Sequence, residues 1–255
     1  MPPKPNPNNV TIVLHRPGSP ENIGAAARVI RNMGMGGLTV VAPYNYDESR
    51  IRKMATHEAS EIIDQIRIET DLKEALAPFH YVVGTTARTG RQRKDIVTPN
   101  QIAPRIAELS AHNRTAFLFG PEDRGLTNDN LRRCHALVNI PTAEFSSLNL
   151  AQAVMVMCYE YFMAASSPIP EFTPRLASRL ELDNMYDHLK DVLIRISFIN
   201  RQNPDYWMNN IRRFFSRLEL RAKEVSIVRG ILRQMDWYAE KRFRDGRDLA
   251  GKGEQ

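Results

Sequence analysis

Short apolar runs alternate with helix-spaced apolar residues over roughly the first two-thirds of the chain; beyond that, helical spacing continues alone. Val10-Thr11-Ile12-Val13-Leu14 is a β-rich run ending in the turn His15-Arg16-Pro17-Gly18. Ser19 as N-cap with Pro20 at the first helical position predicts a helix through Ala25, Val29, Ile30 and Met33 that stops at Gly34. Leu38-Thr39-Val40-Val41 is the next strand, which completes a β-α-β unit, the building block of parallel sheets. Further helices are expected over residues 58–66, 71–76 (capped by Thr70 or Asp71), 102–109 and 148–164. Further strands are expected at Tyr81-Val82-Val83-Gly84, Thr115-Ala116-Phe117-Leu118-Phe119 and Ala136-Leu137-Val138-Asn139-Ile140. This alternation predicts an α/β domain with a mostly parallel sheet.

The pattern breaks at Ser166-Ser167-Pro168-Ile169-Pro170-Glu171-Phe172-Thr173-Pro174, where three prolines mark a linker. Beyond it, residues 176–199, 207–220 and 223–238 all show helical spacing. The expected organisation is a disordered tail (1–8), an α/β domain (9–166), a linker (167–175), a small all-helical domain (176–245) and a frayed tail (246–255).

Composition narrows the class. No apolar run approaches the ~20 residues of a membrane span, and the proline-rich start has no signal-peptide core. Two cysteines, Cys134 and Cys158, both in apolar contexts, point to buried free thiols and a cytoplasmic protein. No Cys/His cluster has ligand spacing, so no metal is expected. The chain carries 35 basic and 29 acidic residues, a formal charge of +6. From Glu171 onward there are 17 basic and 13 acidic residues, so most of the excess sits in the helical region. That favours a polyanionic partner such as RNA, although a merely well-solvated surface has the same composition.

Four stretches concentrate candidate chemistry. In Asn22-Ile23-Gly24-Ala25-Ala26-Ala27-Arg28, small residues leave one helix face nearly bare, so another element or a ligand must approach closely. Phe119-Gly120-Pro121-Glu122-Asp123-Arg124-Gly125-Leu126 displays charged residues at the C-terminal edge of a strand, where open α/β sheets hold ligands. It also reads as a polar turn. Ile140-Pro141 followed by Ser146-Ser147-Leu148-Asn149-Leu150 ends a strand and opens a helix, with Ser146 or Ser147 able to cap it. Thr85-Thr86-Ala87, small and polar, leads into the basic loop Arg88, Arg91, Arg93 and Lys94, for which phosphates are a natural partner. No G-x-G-x-x-G fingerprint occurs, since Gly34-Met35-Gly36-Gly37 precedes a strand, and there is no P-loop. The six histidines are scattered.

In this order and spacing, the first three stretches resemble the signature motifs of the SpoU/TrmH branch of the SPOUT RNA methyltransferases. The resemblance covers residues 10–165 and, more loosely, the helical region. It implies a SPOUT-type α/β knot, a homodimer with the active site completed across its interface, and S-adenosylmethionine as cofactor. The implied cofactor-binding residues are Thr85, Thr86, Ala87, Gly120, Ile140, Ser147, Leu148 and Asn149. Asn22, Arg28, Glu122 and Asn149 match the family's catalytic positions; the family's mechanism hands the 2'-hydroxyl proton to the arginine, but a guanidinium keeps its own proton, so Arg28 is expected instead to contact the hydroxyl or an adjacent phosphate and stabilise developing negative charge. Arg88 matches a basic position. Members with a comparable C-terminal unit usually carry Ser where Thr86 stands. By resemblance to those members the product is 2'-O-methylated tRNA, with the pyrimidine at position 32 of the anticodon loop as target. Another tRNA or rRNA site, base methylation, and a non-catalytic RNA-binding module are the alternatives. Arg212, Arg213, Arg217 and Arg221 recur at helical intervals and are the expected tRNA contacts of the helical region.

Overall fold

The computed structural model of the chain describes residues 3–87, 96–144, 147–170, 172–200, 202–216 and 218–252. The chain divides into two compact units, Met1–Arg175 and Leu176–Gln255.

The first unit is built on seven strands: β1 (Val10–His15), β2 (Gly37–Val41), β3 (Arg67–Glu69), β4 (Tyr81–Thr85), β5 (Ile96–Val97), β6 (Thr115–Phe119) and β7 (Ala136–Val138). Their spatial order is β3-β2-β1-β6-β4-β7-β5, and every pairing is parallel. All five residues of β6 are buried, as expected for a strand covered on both faces. It is the spine of the sheet, with Leu14 opposite Phe119 on one side and Gly84 opposite Leu118 on the other.

Successive side chains of a strand face opposite sides. Val13, Val82, Ala116 and Leu118 join one core with Leu72, Leu76 and Phe79, packed under α4 (Leu72–Leu76) and α6 (Asn128–Leu131). The alternating set, Ile12, Leu14, Phe117 and Phe119, faces the other side and is also fully buried. There α1 (Pro20–Met33), α5 (Pro99–Ser110) and α7 (Leu150–Ala165) pack, with α7 against both others. Against α1 also lie α2 (Glu48–Ala55) and α3 (Ser60–Asp64).

Several elements differ from the sequence expectation. Residues 58–66 form a 3₁₀ turn, His57–Ala59, then the short α3, after which the chain pairs as edge strand β3. The helix α2 is not legible in the periodicity, because it buries Ile51 and Ala55 alone within a charged sequence; Asp47 caps it by accepting from Arg50 N at 3.2 Å. Asp71 is the cap of α4, accepting from Glu74 N at 3.0 Å. The strand expected to reach Ile140 stops at Val138, because its neighbour β5 ends at Val97; Asn139 N makes the last ladder bond, to Val97 O. The chain start is not loose from Asn6 on. Asn6 N donates to Ser110 Oγ at 3.1 Å and Asn9 Nδ2 to Ser110 O at 2.7 Å, which ties residues 6–9 to the end of α5. Ser110 Oγ also meets Tyr161 Oη at 3.0 Å, so one buried hydroxyl joins the first residues, α5 and α7.

The second unit contains α8 (Arg179–Arg195), α9 (Pro204–Ser216) and α10 (Ala222–Lys252). Ser178 and Glu181 form a reciprocal capping box at the start of α8. Met185, Tyr186, Ile199, Met208 and Val225 make its core. The last helix runs to Lys252, past the point where the sequence reading has it fray.

Gly24 lies where α1 crosses α2. A Cβ there would meet Ile51 O and come within 2.9 Å of Met54 Cβ, and one of those neighbours is backbone. Gly24→Ala is expected to cost about 1–3 kcal/mol by overpacking. Urea denaturation checks this through a lower midpoint at unchanged m.

Candidate active site

Because the strands are parallel, their C-terminal ends share one edge of the sheet, and the loops after β1, β6, β4 and β7 all emerge there. The loop after β6 turns tightly. Gly125 N donates to Pro121 O at 2.8 Å and Gly125 takes φ 64°, in the left-handed region. A Cβ on Gly120 would strike the backbone of Gly125 and Leu126, so the turn closes only on glycine.

That turn presents Glu122 to the loop after β1. Glu122 Oε2 accepts from Gly18 N at 2.8 Å, and Oε1 accepts from Asn22 Nδ2 at 2.7 Å and Ser19 N at 3.4 Å. Asn22 Oδ1 in turn accepts from Asn149 Nδ2 at 2.9 Å. Asn149 Oδ1 accepts from Ala151 N at 2.9 Å and Gln152 N at 3.3 Å, the first free donors of α7. The relay therefore has a direction. Helix N–H groups fix the Asn149 amide, which fixes the Asn22 amide, whose N–H groups face the carboxylate.

These residues floor a cleft of about 670 Å³, which Ser147, Leu148, Tyr44, Asp123 and Arg124 also line. Arg124 pairs with Asp123 at 2.9 Å, and that contact holds the Asp123 carboxyl below its ordinary range. The Ser19 hydroxyl donates to Glu21 rather than capping α1; with Arg50 it brings the Glu21 carboxyl down to about 2. At the end of β1, burial and the neighbouring Arg16 lower the pKa of His15, whose Nδ1 is buried without a hydrogen-bond partner.

The structure thus brings Asn22, Glu122, Asn149, Ser147 and Leu148 together. It places Thr85, Thr86, Ala87, Gly120 and Ile140 beside them along the same edge, at or just past the ends of the adjacent strands β4, β6 and β7. Thr85 Oγ1 donates to Leu118 O at 3.2 Å, Thr86 N donates to Val138 O at 2.9 Å, and Asn139 Nδ2 donates to Thr86 O at 2.9 Å. Arg28 is not brought into the cleft. It is exposed on α1, six residues past Asn22 and so about 240° further round the helix. The cap of α7 is Asn149 and not Ser147, whose hydroxyl lies too early in the chain; Ser146 lies outside the described residues.

Of the expected RNA contacts, Arg88, Arg91, Arg93, Lys94 and Arg217 lie outside the described residues. Arg213 and Arg221 are exposed. Arg212 turns inward instead, with its guanidinium over the Tyr186 ring at 5.6 Å and its Nε buried. Sequence reasoning missed Gly18, Ser19 and Tyr44 as cleft residues, whereas Asp123 and Arg124 belong to the stretch it placed at the ligand-holding strand edge without giving either a role. The Gly-Ser pair before a helix was the available signal for the first two; Tyr44 had none. Among the described residues, no group of His, Cys, Asp or Glu is arranged to hold a metal ion, and no helix is long and apolar enough to cross a membrane.

Asn149 joins stability to site geometry, and two substitutions separate the two. Asn149→Ala is expected to lose the cap, about 1 kcal/mol, in chemical denaturation. Asn149→Asp keeps an acceptor for the helix N–H groups and is expected to hold most of that stability, while losing the donor that orients Asn22.

Comparison with known proteins agrees with this fold. The model of the SpoU rRNA Methylase family matches residues 9–159, and that of the C-terminal domain of the tRNA methyltransferase TrmJ matches residues 180–247. The tRNA (cytidine/uridine/adenosine-2'-O-)-methyltransferase TrmJ of Pseudomonas aeruginosa is 37% identical over 239 residues, which are 88% of this chain and 93% of that one. The crystal structure of TrmJ from Z. mobilis ZM4 superposes with a TM-score of 0.77 at 30% identity, covering 89% of this chain and 98% of that one. The SpoU methyltransferase AviRb from Streptomyces viridochromogenes, in complex with the cofactor AdoMet, superposes with a TM-score of 0.50 at 25% identity, over 62% of this chain and 61% of that one. The chain belongs to the SpoU methylase family, in its TrmJ branch.

Proposed function

We propose that the protein methylates a ribose 2'-hydroxyl of tRNA with S-adenosylmethionine, at the cytidine or uridine of position 32. The observation that carries this reading is the Glu122–Asn22–Asn149 relay. It floors a cleft at the C-terminal edge of the sheet, lined from the loops after β1, β2 and β6 and from the start of α7.

The residues fit such a donor. Thr85, Thr86, Ala87, Gly120, Ile140, Ser147, Leu148 and Asn149 carry no charge. They offer backbone groups, hydroxyls and the apolar surface of Ile140 and Leu148, suited to an adenosine and free of a cation that would repel a sulfonium. AviRb, a more distant relative, is known with AdoMet. When bound, the donor supplies a methyl group already activated on sulfur.

What remains for the chain is placement, which supplies on the order of 7–11 kcal/mol when the reacting atoms are held in line. Glu122 keeps the loop before α1 in position through Gly18 N and Asn22. Asn22 and Asn149 present amide groups to a sugar edge. As the 2'-oxygen takes the methyl, the sulfur would leave as a neutral thioether and the hydroxyl proton pass to water; a fixed cation stabilises the alkoxide character that loss of the proton creates. Arg28 is that cation in our reading, contributed across a homodimer. Its helix α1 packs against α7, whose Met155, Tyr159, Phe162 and Met163 form one exposed apolar face, with Phe162 47% and Met163 51% exposed. A second copy covering that face brings its own Arg28 towards this cleft. Arg213 and Arg221 of the helical unit, together with Arg217 and the loop Arg88 to Lys94, hold tRNA phosphates. Such a protein works in the cytoplasm, where tRNA is modified.

The test is transfer of labelled methyl from S-adenosylmethionine to unmodified tRNA, followed by nuclease digestion. Label on the ribose at position 32 is expected; label on a base, or none, contradicts the reading. Arg28→Ala is expected to lower turnover by about 10² or more with little change in tRNA affinity, the loss typical of removing one charge-stabilising donor.

A further inference from the structure

The cleft over Glu122, Asn22 and Asn149 has an aromatic wall that the reading above does not use. Tyr44 is the one aromatic side chain among the described residues that line it, and 56% of its surface is exposed. An exposed tyrosine in a loop is ordinary. What sets this one apart is where the backbone holds it. Ala42, next after β2, takes φ 45° and donates its N–H to Glu69 O at 2.7 Å. Tyr44 then donates its own N–H to Pro17 O at 3.1 Å. Pro17 precedes Gly18 and Ser19, whose N–H groups bind Glu122. The ring is therefore mounted on the same short segment that the Glu122 carboxylate organises.

The chemistry of the lining decides what the ring meets. Apart from Tyr44, Leu148 and Pro121, the cleft presents amides, hydroxyls, carboxylates and one guanidinium. A ribose edge suits that polar floor. A base does not, because its faces are flat and apolar, and stacking on an aromatic ring is how proteins hold an unstacked base. A nucleotide with its 2'-hydroxyl over Asn22 and Asn149 leaves its base to be placed within one nucleotide's reach, and Tyr44 is the π face on offer there. Arg124, ion-paired with Asp123 in the same cleft, adds a cation for an adjoining phosphate. Stacking reads a ring face and not a base edge, so it admits either pyrimidine.

We propose that the Tyr44 ring stacks on the base of the nucleotide whose ribose is methylated, and so sets how tightly that nucleotide is held. This rests on the ribose-methylation reading above. The test compares wild type, Tyr44→Ala and Tyr44→Phe on two full-length tRNAs, one intact and one lacking the base at the position that wild type methylates. Activity gives kcat and KM on the intact tRNA; competition gives the affinity of the abasic one. Calorimetry with S-adenosylmethionine and a melting curve report donor binding and fold.

Tyr44→Ala is expected to raise KM on intact tRNA about tenfold, the worth of one stacked base, with kcat and donor affinity little changed. Tyr44→Phe keeps the ring and is expected to restore KM. On the abasic tRNA, wild type and Tyr44→Ala are expected to bind equally, since the partner of the ring is gone. Wild-type KM for Tyr44→Ala, or a loss of the same size on the abasic tRNA, overturns the proposal while leaving ribose methylation intact. A wild-type protein that puts no methyl on ribose overturns both.

Discussion

One carboxylate holds the site together. Glu122 lies about a hundred residues from Gly18, Ser19 and Asn22 in the chain, yet it accepts hydrogen bonds from all three. Asn149 joins the group from the far side through Asn22. Carboxylates that accept several N–H bonds form strong, charge-assisted contacts. Here those contacts convert three separate loops into one surface. The end of the relay at the first N–H groups of α7 matters equally, because a helix N-terminus gives the Asn149 amide a single preferred orientation. Neither side chain would define the cleft alone.

The sheet makes the relay possible. In a parallel sheet every strand delivers its following loop to the same edge, and side-by-side order then decides which loops meet. With β6 between β1 and β4, the Glu122 turn is flanked by the Asn22 loop on one side and by Thr85-Thr86-Ala87 on the other. The next strand, β7, adds Ile140 and leads on to Asn149. The substrate cleft and the proposed donor cradle are therefore neighbours by topology, and the glycine at position 120 is what lets the intervening turn fold back onto Gly125 and Leu126.

Much of this was legible in the residues, for identifiable reasons. The strand β6 announces itself because it is buried on both faces and so apolar throughout. The helix α1 is marked by Pro20 at its start and Gly34, at φ 66°, at its end. Helix α2 escaped because Ile51 and Ala55 are too few to set a period, and β3 escaped because an exposed edge strand of three residues leaves no alternation to read. In the site, Asn22, Glu122 and Asn149 were candidates by motif, but their mutual hydrogen bonds are long-range and have no local signature. The α7 cap was assigned to serine because Ser146 and Ser147 stand at the helix start, whereas the asparagine does both jobs, capping and relay. Tyr44 sits in a loop of no special pattern and becomes visible when Tyr44 N and Pro17 O are seen to bond.

The central claim is spatial: the donor lies at the ends of β4, β6 and β7 with its reactive methyl turned toward the Glu122–Asn22–Asn149 floor. A crystal structure of the protein with S-adenosylmethionine and a bound anticodon stem-loop measures this directly. The account predicts the adenosine against Thr85-Thr86-Ala87 and Leu148, and a ribose 2'-oxygen in line with the methyl, over Asn22 and Asn149. A donor seated at another edge of the sheet, or a ribose held away from Asn22, would contradict it.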